Sequence, residues 1–499
     1  MRRLGPILLG TIPLWLAGAA FAQATPEGAA ELQKALNGLY APAAGPDAPG
    51  LFQGAWTVEP AGAAYRLTMP AAASSGTSVM PDGTAIVSES RCESSVGSAT
   101  PVSDGVYRLR LDAPLDCRFK SSRGPIDVRI TARSRVDEFT FDARSKVFSK
   151  FASAWEGLTA APVDGGGPAL LTIERITATG DGAPVVQPGH QSIDYHLSAE
   201  GLRGRDPGGS IQISVERLGL DGAAKDFDLG GVLAKLAEMM AAQREMASSA
   251  LKPAPSPEDR QRMAALVGGM YAAYGDTVDG GLSLGGVQVT WPEGSVTLVA
   301  ADAAFGYGGI TGDAGTGRLL VGVEGLAISP PSPYADWIPR DGRIDLAADK
   351  IPYQSIFKLW GDAIGRTADP SPQEAKAQAQ AVGRALQQAG SSVDVRRYHF
   401  AAPQALLDMT GAFQADPQAA HGVTGGAKVR FVGFGPLIKF LQTQPEGAKA
   451  VAGFTMIQAL GREATDDGRP ARDYAISVDA GGKVLINGAD IASFMPKRK

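Results

Sequence analysis

The chain has 499 residues, more than one simple domain holds, so two or three units are the starting expectation. Its formal net charge is −5, and losing Arg2 and Arg3 with a leader would give −5 − 2 = −7, which excludes the basic balance of a nucleic-acid binder. The 63 glycines suit a turn-rich β protein, and an aromatic content of 7% argues against a sugar-stacking cleft.

Arg2 and Arg3 precede an apolar stretch from Leu4 to Ala19, and Ala20-Phe21-Ala22 puts small residues where a signal peptidase reads them. This is the pattern of a cleaved secretory signal over 1–22. Pro6 and Pro13 interrupt the run, which falls short of the roughly 20 apolar residues of a spanning helix, and no later segment reaches that length. The mature chain is therefore expected to be secreted, to the periplasm, with no transmembrane span.

Residues 23–50 read as a helix and a linker. Ala30, Leu32, Leu36 and Leu39 fall near helical spacing within Pro26 to Tyr40, and 41–50 is rich in Pro, Gly and Ala. From 51 to 210 the pattern turns to period two, as in Tyr65-Leu67-Met69, Ile126-Val128-Ile130 and Phe139-Phe141. Turn dipeptides such as Asp82-Gly83 and Asp104-Gly105 separate these runs, giving antiparallel strands with one wet face. Cys92 and Cys117 lie in two of them. In an oxidising compartment an even pair reads as one disulfide, contributing about 3 kcal/mol by the chain-entropy model.

Residues 211–499 contain a repeat. Pro255-Ser256-Pro257-Glu258-Asp259 recurs as Pro370-Ser371-Pro372-Gln373-Glu374, and Gly275, Val278 and Asp279 recur as Gly390, Val393 and Asp394, always 370 − 255 = 115 positions on. Each copy opens a helix: serine at the N-cap, proline in the first turn, Asp259 or Glu374 closing a capping box. Each helix is expected to stop near its glycine and pass into a strand. A looser match aligns Val215-Glu216 with Val323-Glu324, and Val321-Gly322 with Val432-Gly433. Apolar stripes over 232–246 and 356–364, with Leu437 to Leu441 and Ala448 to Leu460, supply the other helices. About three β-αα-ββ units result, over 211–320, 321–427 and 428–499.

Local catalytic motifs are sparse. His190, His196, His399 and His421 form no metal-binding spacing, so no metal or other cofactor is expected. Ser355-Ile356-Phe357-Lys358 matches S-x-x-K without the partner signatures of penicillin-binding enzymes. The glycine runs 165–167 and 306–317 lack the following Lys-Ser/Thr of a phosphate loop, while Gly280-Gly281 and Gly285-Gly286 read as turns or bulges flanking a short strand. Asp137-Glu138 is a strand pair of the kind that could supply carboxylates to a hydrolase. The methionine-rich stripes suggest a different role. Met239, Met240, Met263, Leu266 and Met270 can pack as a helical hairpin or offer flexible thioethers to acyl chains or a partner helix.

The final strand Lys483-Val484-Leu485-Ile486-Asn487-Gly488-Ala489-Asp490-Ile491, after repeated strand–helix units and a signal, resembles alphaproteobacterial envelope proteins of a domain of unknown function and, more distantly, AsmA-like proteins. AsmA-like proteins keep an N-terminal anchor, which the cleaved signal here departs from. The resemblance carries no catalytic residues. The expectation is a β-rich α+β protein: an N-terminal antiparallel sheet with one disulfide, then β-αα-ββ units forming a long curved antiparallel sheet with helices on one face. Its expected role is non-enzymatic, binding lipid or an envelope partner in a groove; the alternatives are a periplasmic hydrolase with a non-local site and a structural interaction module.

Overall fold

A computed structural model describes residues 24–40, 52–79, 85–122, 126–165, 167–185, 190–228, 275–332, 334–366, 371–444 and 447–491, with isolated helical positions between 231 and 266. The expected signal over 1–22, the expected linker 41–50 and Met239, Met240, Met246, Met263 and Met270 lie outside the described residues. Twenty-six described strands join into one antiparallel sheet, in agreement with the expected β-rich class.

The sheet forks at the strand Val147–Pro162. One edge of this strand pairs with Leu171–Pro184 along most of its length. The other edge is shared: Ser134–Asp142 takes residues 147–156, and Ile126–Thr131 takes residues 159–162. The first arm continues through Val106–Leu111, Ser95–Ser103, Ala64–Met69 and Thr57–Ala61. The second continues through Asp116–Ser121, Ala85–Cys92, Ala71–Val79 and Phe52–Gln53. Cys92 and Cys117 are register partners in the second arm and form the expected disulfide, S–S 2.09 Å.

The helix Pro26–Tyr40 covers the inner face of the first arm. Its stripe is Ala29, Leu32, Ala35 and Leu36, and it packs on Tyr65, Leu67, Tyr107, Leu109 and Phe141, which alternate along their strands as period two requires. Ala30, expected in the stripe, is exposed. One helix face also serves the sheet edge. Val58 N–H donates to Gln33 Oε1 (3.0 Å), Trp56 N–H donates to Asn37 Oδ1 (2.8 Å), and Asn37 Nδ2 donates to Trp56 O (3.2 Å). Gln33 and Asn37, four residues apart, thus satisfy backbone groups that the outermost strand of this arm would leave open.

Beyond the fork the chain runs as a meander, with each strand antiparallel to the next: Leu171–Pro184, His190–Arg205, Gln212–Asp228, Thr277–Trp291, Gly294–Gly308, Gly315–Glu324, Asp341–Ile351, Ser392–Ala401, Leu406–Ala415, Val423–Val432 and Arg469–Val478. Helical insertions follow Gln212–Asp228, Asp341–Ile351 and Val423–Val432. The first two therefore share one end of the strands and the third occupies the other.

Some features expected of the repeat fall among the described residues. Ser371 accepts from Glu374 N–H and Glu374 returns the bond to the Ser371 backbone, a complete capping box with proline in the first turn of Pro372–Ala389. Gly275 (φ 90°) and Gly390 (φ 63°) take left-handed conformations just before Thr277–Trp291 and Ser392–Ala401, whose starts are again 392 − 277 = 115 apart. The first copy's Ser256, Pro257 and Asp259 are not among the described residues. The third unit's helices are Phe434–Thr443 and Ala448–Leu460, where expected.

Two readings need correction. Val323-Glu324 is not the counterpart of Val215-Glu216: the strand leading into the second helix pair is Asp341–Ile351, and Val321 and Val323 lie on Gly315–Glu324 before it. Apolar alternation recurs in many of the strands, so a short match of that kind slips. The glycines 280, 281, 285 and 286 do not flank a short strand. All lie inside Thr277–Trp291, where Gly280 receives the ring of Phe305 (2.8 Å from an ideal Cβ) and Gly286, at φ 60°, receives Glu216 (2.4 Å). A side chain at either position would collide with its neighbour strand.

Candidate apolar ligand-binding face

Directly opposed residues of neighbouring strands point to the same face, so the register decides what each face contains. One line across the meander reads Ala178, Leu197, Leu220, Leu282, Ala303 and Val321, and goes on through Ile344, Tyr398, Met409, Val429 and Tyr474. Every member is apolar or aromatic. The next line on the same face includes Gly280, Phe305, Leu319, Leu346 and Val395, and the one on the other side Ile176, Ala199, Leu218, Leu284, Ala301 and Val323. A fourth passes through Val278, Tyr307, Ala348, Val393 and Phe413.

The line one residue over, on the opposite face, reads Thr177, Ser198, Gly219, Ser283, Asp302 and Gly322, then Arg343, His399, Asp408, Arg430 and Asp473. The two faces thus have opposite chemistry. On the polar face His399 Nδ1 lies 2.6 Å from Asp408 Oδ1, and Arg430 donates to both oxygens of Asp473 at 2.8 and 2.9 Å. The Arg430 hydrogen bond holds the Asp473 carboxyl below its ordinary range.

One apolar line crosses all eleven strands and three more run beside it, the one through Ile176 reaching Arg472 on the last strand; together they make a floor of about 50 by 20 Å at ordinary strand and residue spacings. Part of this floor is covered, with Ala199, Val395 and Tyr474 buried. At its centre it is open: Phe305 is 54% exposed, Leu319 45% and Leu282 40%.

The described helices bound this floor. Tyr353, opening Tyr353–Arg366, meets Tyr307 edge-on at 6.3 Å and donates its hydroxyl to Thr316 O. Phe434, opening Phe434–Thr443, meets Phe431 at 4.2 Å and Tyr474 at 6.4 Å, both on the apolar face. Tyr474 then donates to Ile457 O in Ala448–Leu460 (3.0 Å). The two pairs stand on the same face at opposite strand ends, with the exposed floor between them.

At the fork the apolar lines meet two charges. Asp137 is the register partner of Ser153, next to Ala178, and Arg135 is the partner of Trp155, next to Ile176. Arg135 Nε donates to Asp137, Trp155 Nε1 donates to the other carboxylate oxygen at 2.8 Å, and the guanidinium lies 5.2 Å from the Trp155 ring centre. Both charges are nearly buried, at 12% and 4% side-chain exposure. Beside them is an apolar cavity of about 140 Å³ between the helix Pro26–Tyr40 and the first arm, lined by Leu36, Trp56, Leu67, Leu109, Phe139 and Arg135 among others.

The remaining sequence candidates separate in the structure. Asp137 and Glu138 project to opposite faces, and Glu138 pairs with Arg110 on the surface. His190 meets Asp226 at 3.0 Å, His196 meets Asp221, and His421 meets Gly482 O at 3.0 Å, so each histidine has its own partner. Ser355 is exposed, and its hydroxyl donates to Asp313 at 3.4 Å. Leu266 is buried at 8% exposure. Among the described residues no group of three or more His, Cys, Asp or Glu side chains could hold a metal ion, and no described helix is long and apolar enough to cross a membrane. The Arg135–Asp137–Trp155 cluster was not foreseen as a unit; the sequence signal was an arginine two residues before an aspartate in an apolar strand.

Residues 359–494 match the family model described as an uncharacterized protein conserved in bacteria (DUF2125). The match begins within Tyr353–Arg366 and takes in the third helix pair and the closing strands, supporting a domain of unknown function there. No curated protein and no solved structure gave a match.

Proposed function

We propose that this protein is a non-enzymatic, periplasmic envelope protein that binds the acyl chains of lipid on the apolar face of its long sheet. The observation that carries this reading is the set of apolar lines across the meander, exposed at Leu282, Phe305 and Leu319 between two helical walls. Large apolar side chains exposed together on one face are costly in water unless something apolar covers them. The Cys92–Cys117 disulfide fits an extracytoplasmic protein, where such a bond persists. A hydrolase would draw on His399–Asp408, but the residues beside that pair in its line are Arg343 and Arg430 rather than a hydroxyl nucleophile.

Native mass spectrometry of the protein purified from the periplasm, followed by organic extraction, tests the proposal. The expected result is a stoichiometric acyl lipid, or saturable binding of the neutral dye N-phenyl-1-naphthylamine that falls in a Leu282→Glu/Leu319→Glu variant. An apo mass together with no dye binding overturns it.

A further inference from the structure

The Arg135–Asp137–Trp155 cluster has chemistry that the apolar floor does not need. It sits where the helix-covered core of the first arm gives way to the open trough, on the same lines of side chains. A buried ion pair in such a place is not a stabilising device by default, because desolvation of two charges offsets their attraction. The arrangement is also asymmetric. Asp137 is doubly held, by Arg135 Nε and by Trp155 Nε1. Arg135 spends only its Nε–H on Asp137 and rests on the Trp155 ring, and it lines the 140 Å³ apolar cavity. Among the described residues no hydrogen bond engages the four N–H donors on its terminal nitrogens, which can address an acceptor arriving from the cavity or the trough.

We propose that Arg135 anchors the monoanionic oxyanion head of an amphiphile whose acyl chain lies against the apolar face. This rests on the lipid-binding reading and names the class of lipid. A carboxylate or a phosphodiester matches the fork of a guanidinium. A dianionic head would bring two negative charges beside Asp137, whose charge already offsets that of Arg135, so a single charge suits the site. Trp155 fixes the guanidinium plane, and Asp137 fixes its direction along the sheet.

Displacement of N-phenyl-1-naphthylamine, a neutral probe, tests this with palmitate, lysophosphatidylglycerol and hexadecanol as competitors. In the wild-type protein at least one anionic competitor is expected to bind about tenfold or more tighter than the alcohol, as a charge-assisted hydrogen-bond pair provides. Which one does so distinguishes the carboxylate from the phosphodiester source. In the double variant Arg135→Met/Asp137→Leu, which replaces the ion pair by apolar side chains, the preference for anion over alcohol is expected to vanish while the dye still binds. In Arg135→Lys, which keeps the charge and loses the fork, the preference is expected to fall at least about threefold. Equal affinity for acid and alcohol in the wild type, or a preference undiminished in either variant, overturns the anchor and leaves the apolar trough standing. Failure of the dye itself to bind removes the lipid-binding reading beneath it.

Discussion

The same sheet face behaves differently at its two ends. In the first arm, Tyr65, Leu67, Tyr107, Leu109 and Phe141 alternate with polar neighbours and are buried beneath the helix Pro26–Tyr40. In the meander, Leu282, Phe305, Leu319 and Val321 alternate in the same way and remain exposed. Alternation alone therefore does not make a core. What differs is the cover: the first arm has a helix whose apolar stripe packs into one core with it, while the described helices of the meander stand at the strand ends. The composition follows the difference, with aromatic bulk under the helix and many Gly and Ala residues between the exposed Leu and Phe side chains, which keeps the floor low and even.

The largest expected effect tests whether these are two environments or one. Phe141→Ala, at a fully buried site, should lower stability by about 3–5 kcal/mol, read from denaturant unfolding. Phe305→Ala, half exposed, should stay within about 0.5 kcal/mol and instead weaken binding of an apolar dye. Equal destabilisation by the two substitutions would mean that the central floor is an ordinary core.

Much of the scaffold was legible in the chain, for local reasons. The limits of Pro26–Tyr40, the Ser371–Glu374 capping box and the third helix pair are set by residues within a few positions of one another. The disulfide was legible because only two cysteines exist and both lie in strands. The apolar face was not, because it is a property of register. Leu220, Leu282 and Val321 belong to one line only once three separate pairings are known. The Arg135–Asp137–Trp155 cluster was hidden for the same reason: Trp155 is distant in sequence from the ion pair and joins it only across a strand pair. The methionines proposed as ligand contacts rested on helical spacing, which says how a stripe is arranged but not what lies against it.

A smaller effect is expected at the other end of the sheet, where Asn487 closes the structure. Its side chain accepts from Ala475 N–H (2.8 Å) and donates to Leu460 O (2.8 Å) and Asp473 O (3.1 Å), tying the last hairpin to the end of Ala448–Leu460. It also adopts φ 51°, which asparagine tolerates better than most residues. This is the physical content of the Asn-Gly pair in the C-terminal motif. Asn487→Ala should cost about 1–3 kcal/mol, and amide exchange should rise around Tyr474 and Leu460 while the first arm keeps its protection. Uniform loss of protection in both regions would show that the two ends unfold as one unit.

The smallest effect is silent at neutral pH. Burial, aided by the nearby Glu31 charge, pushes the Tyr107 phenol up to about 12, and burial does the same to Tyr474 at the far end of the sheet. Below about pH 10, the ordinary value for tyrosine, each phenol is neutral whether the chain is folded or not. Above it the unfolded phenol ionises while the buried one keeps its proton, so the associated stability is lost as pH rises from about 10 towards 12. Tyr107→Phe should flatten the alkaline fall in the first arm, followed by amide exchange at Leu109, and leave the fall near Tyr474 in place; Tyr474→Phe should do the reverse. If either substitution flattened both, the helix-covered core and the C-terminal end would share one cooperative transition, and the contrast between covered and open face would be one of surface chemistry alone.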